Sequence, residues 1–212
     1  MKWASIEQSL SDLSRRDDLA LRVNELISSD PYVEKIDQFG SIAEGRSDKY
    51  SDVDLVVHVR GISDRTFVEL VPDRLRSIGP TLIEGWSLAA LPDTHARTLY
   101  FKDYPLFWHI DIGCVSDIHI DGTDLMQTYH WPQRFKMWIE LVAEMQRGND
   151  ILSAIDEFFI KYGHVYQESD GVAERLSLCL DLTYKRALKR GAPCTELFER
   201  CNELRHEYLS KK

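Results

Sequence analysis

Two aspartates separated by one residue lie in an otherwise apolar segment. Residues 52–59 read DVDLVVHV, which is typical of a strand, and side chains along a strand alternate between its two faces. Asp52 and Asp54 are therefore expected on one face, with Val53 and every second residue after it on the buried face. Two carboxylates on one face repel each other, and Mg²⁺ held between them would relieve that repulsion. The alternative is an edge strand with a solvated polar face.

A third acid and a Gly-Ser pair give this strand a chemical context. Asp111 interrupts the apolar run FWHIDIGCV, where a carboxylate is costly to bury unless it is paired or metal-bound; a local turn contact is the alternative. Gly40 and Ser41 follow a predicted strand, and such a turn offers N–H groups and a hydroxyl to phosphate. If the strands of Asp54 and Asp111 are neighbours, three carboxylates converge. That arrangement suits two-metal nucleotidyl transfer.

The stretch GSIAEGRSDKYSDVDLVV resembles the signature of the DNA polymerase β-like nucleotidyltransferase superfamily. The pattern in that superfamily is an apolar residue, Gly, Gly or Ser, about ten residues, and then Asp-apolar-Asp-apolar. Phe39 fills the leading apolar position here. The version in this chain is similar to that of the antibiotic nucleotidyltransferases, which modify aminoglycosides and lincosamides, and of the minimal nucleotidyltransferases. The resemblance covers residues 34–115 in motif detail and the rest only in layout.

The resemblance implies a role for each of these residues. Gly40 and Ser41 would bind the β- and γ-phosphates of a nucleoside triphosphate, and Asp52 and Asp54 would ligate Mg²⁺. Asp111 would complete the second metal site and is a candidate for the general base. Many relatives form homodimers in which one subunit helps to form the acceptor site of the other, so a homodimer is also implied.

The remaining sequence predicts an α+β protein in two parts. The first part is a nucleotidyltransferase head, a mixed β-sheet with flanking helices, and the second is an all-helical bundle. We expect a catalytic domain over residues 1–125 and a helical, acceptor-binding domain over residues 126–212. Periodicity and turn residues predict helices at 3–29, 64–78, 133–147, 150–166, 170–190 and 195–210, strands at 32–39, 52–59 and 80–88, and two strands within 96–115.

Composition narrows the class of partner. The chain has 212 residues and a net charge of −9. This balance disfavours nucleic acid as a partner and fits a cationic small molecule. The four cysteines lack zinc-site spacing and are expected to be reduced and buried. No signal peptide and no apolar span of about 20 residues is apparent, so we expect a cytoplasmic protein without a membrane partner.

These observations predict an Mg²⁺-dependent enzyme that transfers a nucleoside monophosphate to a hydroxyl of a small molecule. We expect the donor to be ATP and the acceptor to be a compound such as an aminoglycoside or a lincosamide. One alternative keeps the chemistry but uses a protein or tRNA as acceptor, as part of a toxin–antitoxin pair. Another is a catalytically inactive scaffold that binds nucleotide. His58 could neighbour the metal site, but we expect it to be hydrogen-bonded elsewhere and to have no part in the site; His109 is given no role.

Overall fold

The computed structural model describes residues 8–82, 89–91, 94–119, 130–162 and 171–209. The chain divides into two compact units, Met1–His130 and Trp131–Lys212. Strands and helices form the first unit and helices form the described part of the second, which confirms the predicted α+β class. The first residues of the predicted N-terminal helix, up to residue 7, and most of the strand predicted at 80–88 lie outside the described residues.

The first unit contains one mixed sheet. Its strands are β1 (Val33–Phe39), β2 (Val53–Val59), β3 (Ala89–Leu91), β4 (Thr94–Leu99) and β5 (Ile110–Ser116). They lie in the order β1-β2-β5-β4-β3, and β2 and β5 are parallel while the other neighbours are antiparallel. β2 has a neighbour on each side, so the interpretation of residues 52–59 as an edge strand is wrong. The helices of this unit are α1 (Leu13–Ser28), α2 (Gly40–Ala43) and α3 (Asp64–Arg74), with 3₁₀ turns at Gln8–Ser11 and Leu106–Trp108.

The two faces of β2 differ as its alternation predicts. Its valines and leucine at odd positions, from Val53 to Val59, are buried, whereas Asp54 and His58 are half-buried. Ile110, Ile112 and Cys114 of β5 continue the buried face. This apolar face fixes the register, because a slip of one residue would move every valine to the opposite side of the sheet.

A proline inside α3 is compensated by a buried arginine. Pro72 has no N–H, so the carbonyl of Val68, four residues earlier, loses its helical partner. The Arg97 Nη1 donates to the Val68 and Glu69 carbonyl oxygens, each at 3.1 Å. Burial lowers the pKa of the Arg97 guanidinium from its ordinary value, and the carboxylates of Glu69 and Asp73 oppose that effect. The contact also shows that α3 packs on the Ile112 face of the sheet, since Arg97 is the register partner of Ile112.

The second unit contains helices at the predicted positions. Trp138 is fully buried and donates its Nε1–H to the Leu176 carbonyl at 2.8 Å. The rings of Tyr184 and Phe198 stack with centroids 3.7 Å apart, and this contact joins the last two helices. The helices are α4 (His130–Gln146, which starts at the last residue of the first unit), α5 (Leu152–Tyr162), α6 (Val172–Lys189) and α7 (Thr195–Leu209).

All four cysteines are buried and free, as the sequence predicts. Burial raises the pKa of the Cys179 thiol to about 12, and burial together with the Asp64 carboxylate raises that of Cys114 to about 12. These thiols are therefore unreactive at neutral pH. Within the described residues, no helix combines the length and the apolar character needed to cross a membrane.

The contact between Arg97 and α3 gives a stability prediction. Arg97→Met leaves the Val68 carbonyl buried without a donor, so it should lower the free energy of unfolding by about 1–3 kcal/mol. Pro72→Ala restores an N–H that can reach the Val68 carbonyl. In that background, Arg97→Met should therefore lower the free energy of unfolding by less. Urea unfolding of the four proteins measures the coupling. An equal cost of Arg97→Met in both backgrounds would contradict this role.

Candidate active site

Three acidic or polar residues meet on one face of the sheet because of strand register. Asp54 in β2 lies directly beside Asp111 in the parallel strand β5. Asp111 is in turn paired with Thr98 of β4, whose hydroxyl donates to Asp111 Oδ1. Register partners in a sheet point their side chains to the same face. The predicted neighbourhood of Asp54 and Asp111 is thus observed, and Thr98 is an addition that the sequence did not indicate.

Gly40 passes very close to one of these carboxylates. It has a φ of +71°, in the left-handed region that favours glycine, and follows Phe39, which is the register partner of Asp54. A Cβ at this position would lie 2.3 Å from Asp54 Oδ2. Ser41 is half-buried, and its hydroxyl has no hydrogen-bond partner within the described residues. Gly40 therefore lets the backbone approach Asp54, and Ser41 retains a donor for a ligand.

The loop between the Gly-Ser turn and β2 is held by buried groups. The buried Arg16 of α1 donates to the Asp48 carbonyl at 2.6 Å, and Trp108 Nε1 donates to the Lys49 carbonyl at 2.9 Å. Ser51 is buried and its hydroxyl accepts the Asp48 N–H at 2.9 Å. These contacts fix the chain just before Asp52. The spacer of about ten residues is consequently an anchored loop rather than a free connection.

His109 joins Asp52 to Asp111. Its Nε2 lies 3.0 Å from Asp52 Oδ2 and 3.9 Å from Asp111 Oδ2, and its ring is almost fully buried beside Tyr100, with centroids 5.3 Å apart. The other nitrogen, Nδ1, lies 3.1 Å from the Leu106 carbonyl. Because a carbonyl can only accept, we assign the proton to Nδ1. In the neutral ring Nε2 then presents a lone pair to two carboxylates, an arrangement that requires a second proton or a cation.

No role was predicted for His109, yet its ring nitrogen Nε2 lies beside both acids. Residues 109 and 111 have the same parity, so simple strand alternation places their side chains on one face without any bulge. That signal was present in the sequence. His58, by contrast, fulfils the prediction: its Nε2 lies 3.0 Å from Asp37 Oδ2 on the neighbouring strand β1, further along β2 from the acids.

The donor set fits a divalent cation. One ligand atom from each of Asp52, His109 and Asp111 can be chosen so that all lie within 4.8 Å of one another. The side chains of Asp52 and Asp111 are 23% and 14% exposed, so both are accessible from solvent while largely shielded. Asp54 adds a further carboxylate next in register. Carboxylate oxygens are the ligands that hard cations such as Mg²⁺ take.

A comparison with protein families gives a match to this part of the chain. Residues 19–90 match the family described as Nucleotidyltransferase domain. The first unit carries a nucleotidyltransferase domain. The chain is accordingly an enzyme of the nucleotidyltransferase class, as the resemblance implied. A comparison with curated proteins finds no match.

The matched segment includes four of the five predicted site residues of the nucleotidyltransferase domain. It contains Gly40, Ser41, Asp52 and Asp54 and ends before Asp111. The third acid is therefore supported by geometry rather than by the match: it is the register partner of Asp54 and accepts from Thr98.

Gly40 gives a prediction with a matched control. Gly40→Ala should disrupt the site, because the new Cβ would collide with Asp54 Oδ2. The alanine would also have to adopt a left-handed backbone conformation. Gly45 also has a positive φ, +67°, but a Cβ there would meet nothing within 4 Å. Both variants should lose about 1–2 kcal/mol of stability from backbone strain. Only Gly40→Ala should also lower Mn²⁺ affinity, measured by electron paramagnetic resonance, by about tenfold or more. Equal Mn²⁺ affinity in the two variants would contradict the argument.

Proposed function

We propose that this protein transfers a nucleoside monophosphate, AMP from ATP, to a hydroxyl of a small molecule such as an aminoglycoside or a lincosamide. The observation that carries the proposal is the side-by-side register of Asp54 and Asp111 beside Gly40, in a unit of which residues 19–90 match a nucleotidyltransferase domain. Nucleotidyl transfer needs little covalent help from the protein, and it depends on position and electrostatics. A group of acids next to a phosphate-binding turn supplies both.

We assign Asp52, Asp54 and Asp111 as the ligands of Mg²⁺. The convergence of Asp52, His109 and Asp111 to within 4.8 Å supports the choice of Asp52 and Asp111, and Asp54 is the register partner of Asp111. When bound, Mg²⁺ neutralises phosphate charge and makes the acceptor hydroxyl more acidic. His109 then has a defined part: its Nδ1–H is directed at the Leu106 carbonyl, which holds the ring so that Nε2 faces Asp52. It is a positioning residue for the acids.

Gly40 and Ser41 are assigned to the triphosphate. The glycine removes the side chain that would separate the backbone from Asp54, so a phosphate group bound at the turn would lie close to the acids. The backbone N–H groups of the turn and the Ser41 hydroxyl are donors of the kind that bind phosphate oxygens. A nucleotide held in this way has its reacting phosphorus near the carboxylates, which is what in-line transfer requires.

Asp111 is our candidate for the group that takes the proton of the acceptor hydroxyl. Thr98 occupies Oδ1 of this carboxylate, so the side chain is oriented, and Oδ2 is directed toward His109. Its half-buried position leaves it accessible to a substrate. A carboxylate fixed in this manner can accept a proton from a hydroxyl within hydrogen-bond reach.

The acceptor is proposed from charge. A net charge of −9 favours a polycationic compound such as an aminoglycoside over a nucleic acid. We assign acceptor binding to the predicted helical domain, residues 126–212, which includes the second unit, Trp131–Lys212. The four buried free thiols fit a reducing, cytoplasmic location.

The test uses ATP labelled at the α-phosphate and a panel of hydroxylated antibiotics. Asp54→Asn and Asp111→Asn should each lower label transfer at least about 100-fold, because each removes a charge from the reacting centre. Asp37→Asn is the matched control: Asp37 is a half-buried acid on β1 in the same sheet, paired with Lys35 and His58, and the variant should retain full transfer. Mg²⁺ removal should abolish transfer in the parent.

The outcomes separate the three hypotheses. Label on an antibiotic that is lost in the Asp54 and Asp111 variants supports the proposal. Label on a protein or on tRNA, with no antibiotic modified, supports the toxin–antitoxin alternative. Binding of ATP and Mg²⁺ without transfer to any acceptor supports an inactive scaffold. Undiminished transfer by Asp54→Asn would overturn the mechanism itself.

A further inference from the structure

A second cluster of metal-ligating side chains lies away from the candidate active site. Asp64, His95 and His119 each offer a ligand atom within 4.8 Å of the others. Asp64 begins α3, His95 is in β4, and His119 lies just after β5. These three segments are far apart in sequence and meet only in the folded chain.

Position in the sheet separates this cluster from the acids of the active site. His95 pairs with Cys114, whereas Thr98 pairs with Asp111. A step of three residues along a strand moves the side chain to the opposite face of the sheet and about 10 Å further along the strand. The histidine cluster is therefore on the helix-covered face at the C-terminal ends of β2 and β5, and the acids are on the other face at their N-terminal ends.

Asp64 is buried and oriented by its backbone. Its Oδ1 accepts the Arg65 N–H at 2.7 Å, and its N–H donates to the Ile118 carbonyl at 3.3 Å. The second carboxylate oxygen, Oδ2, contacts the Nδ1 of both histidines; the separation from His95 Nδ1 is 2.9 Å, and His119 Nδ1 is hydrogen-bonded to it. One buried oxygen thus faces two imidazole nitrogens.

His95 carries the second, independent observation. The residue is fully buried. Its Nδ1 is within ion-pair distance of Asp64 Oδ2 but is not aligned for a hydrogen bond, and neither ring nitrogen has a hydrogen-bond partner among the described residues. A buried imidazole without hydrogen bonds is unfavourable. A metal ion would use the Nδ1 lone pair and remove the part of that penalty that falls on Nδ1.

We propose that Asp64, His95 and His119 bind a divalent transition-metal ion of the Zn²⁺ class. Two imidazoles and one carboxylate are a common ligand set for such ions, whereas Mg²⁺ and Ca²⁺ prefer oxygen ligands alone. His119 is 32% exposed, so the cluster is open to solvent on one side and an ion can enter. The ion would link the start of α3, β4 and the segment after β5, and so stabilise the first unit. This site does not depend on the proposed function.

The test measures Zn²⁺ binding to the full chain after chelator treatment, in excess Mg²⁺ to occupy oxygen-rich sites. The parent should bind one equivalent of Zn²⁺ in competition with a chromophoric chelator. His119→Ala and Asp64→Asn should weaken this binding more than about 100-fold, because each removes a direct ligand. His58→Ala is the matched control, since His58 is also a half-buried histidine paired with an aspartate, and it should bind normally. Asp111→Asn should also bind normally.

Two further measurements keep the test decisive if a variant does not fold. Zn²⁺ should raise the thermal midpoint of the parent, since it binds only the folded chain. Co²⁺ in place of Zn²⁺ should give an absorption spectrum typical of nitrogen ligation. The proposal is overturned if the parent binds no Zn²⁺ in excess Mg²⁺, if His119→Ala binds as the parent does, if Asp111→Asn abolishes binding, or if Co²⁺ shows only oxygen ligation.

Discussion

Asp54 and Asp111 repel each other, and the first unit must hold them side by side against that repulsion. Neighbouring strands are about 4.8 Å apart, and two negative charges at such a distance repel by about 1–3 kcal/mol when partly solvated. The pairing persists because the opposite face of the same strands is apolar and buried: Leu55 and Ile112, one residue along, are also register partners. Burial on one face thus holds charges together on the other.

The same alternation gives the sheet two chemically different faces. One face carries the acids, Gly40 and Thr98 at the N-terminal ends of β2 and β5. The other carries the core and, at the opposite strand ends, the cluster of Asp64 and His95. Arg97 lies on this second face and supplies the donor that Pro72 cannot, which holds α3 against β4. Packing of α3 therefore supports β4, and β4 in turn supplies the hydroxyl that orients Asp111.

Much of the fold and part of the site could be predicted from the sequence. The strand at β2 and the helices of the second unit follow from periodicity, and the position of Asp54 on the face opposite the buried valines follows from alternation. Thr98 could not be predicted, because its contact with Asp111 depends on the register of β4 against β5, and nothing in either strand alone fixes that register. The parallel pairing of β2 with β5 is likewise a tertiary property. His109 was accessible to sequence reasoning through its parity with Asp111.

The residues of the candidate active site are held in place by contacts within the protein. Asp52 lies outside β2, and a loop residue would ordinarily be mobile, but the preceding turn is held by Arg16, Ser51 and Trp108. His109 is held equally firmly by the Leu106 carbonyl and Tyr100. The acids are therefore kept close together at the expense of charge repulsion, and a cation that enters relieves it. Stability of the first unit and affinity for a divalent cation are consequently linked through the same carboxylates.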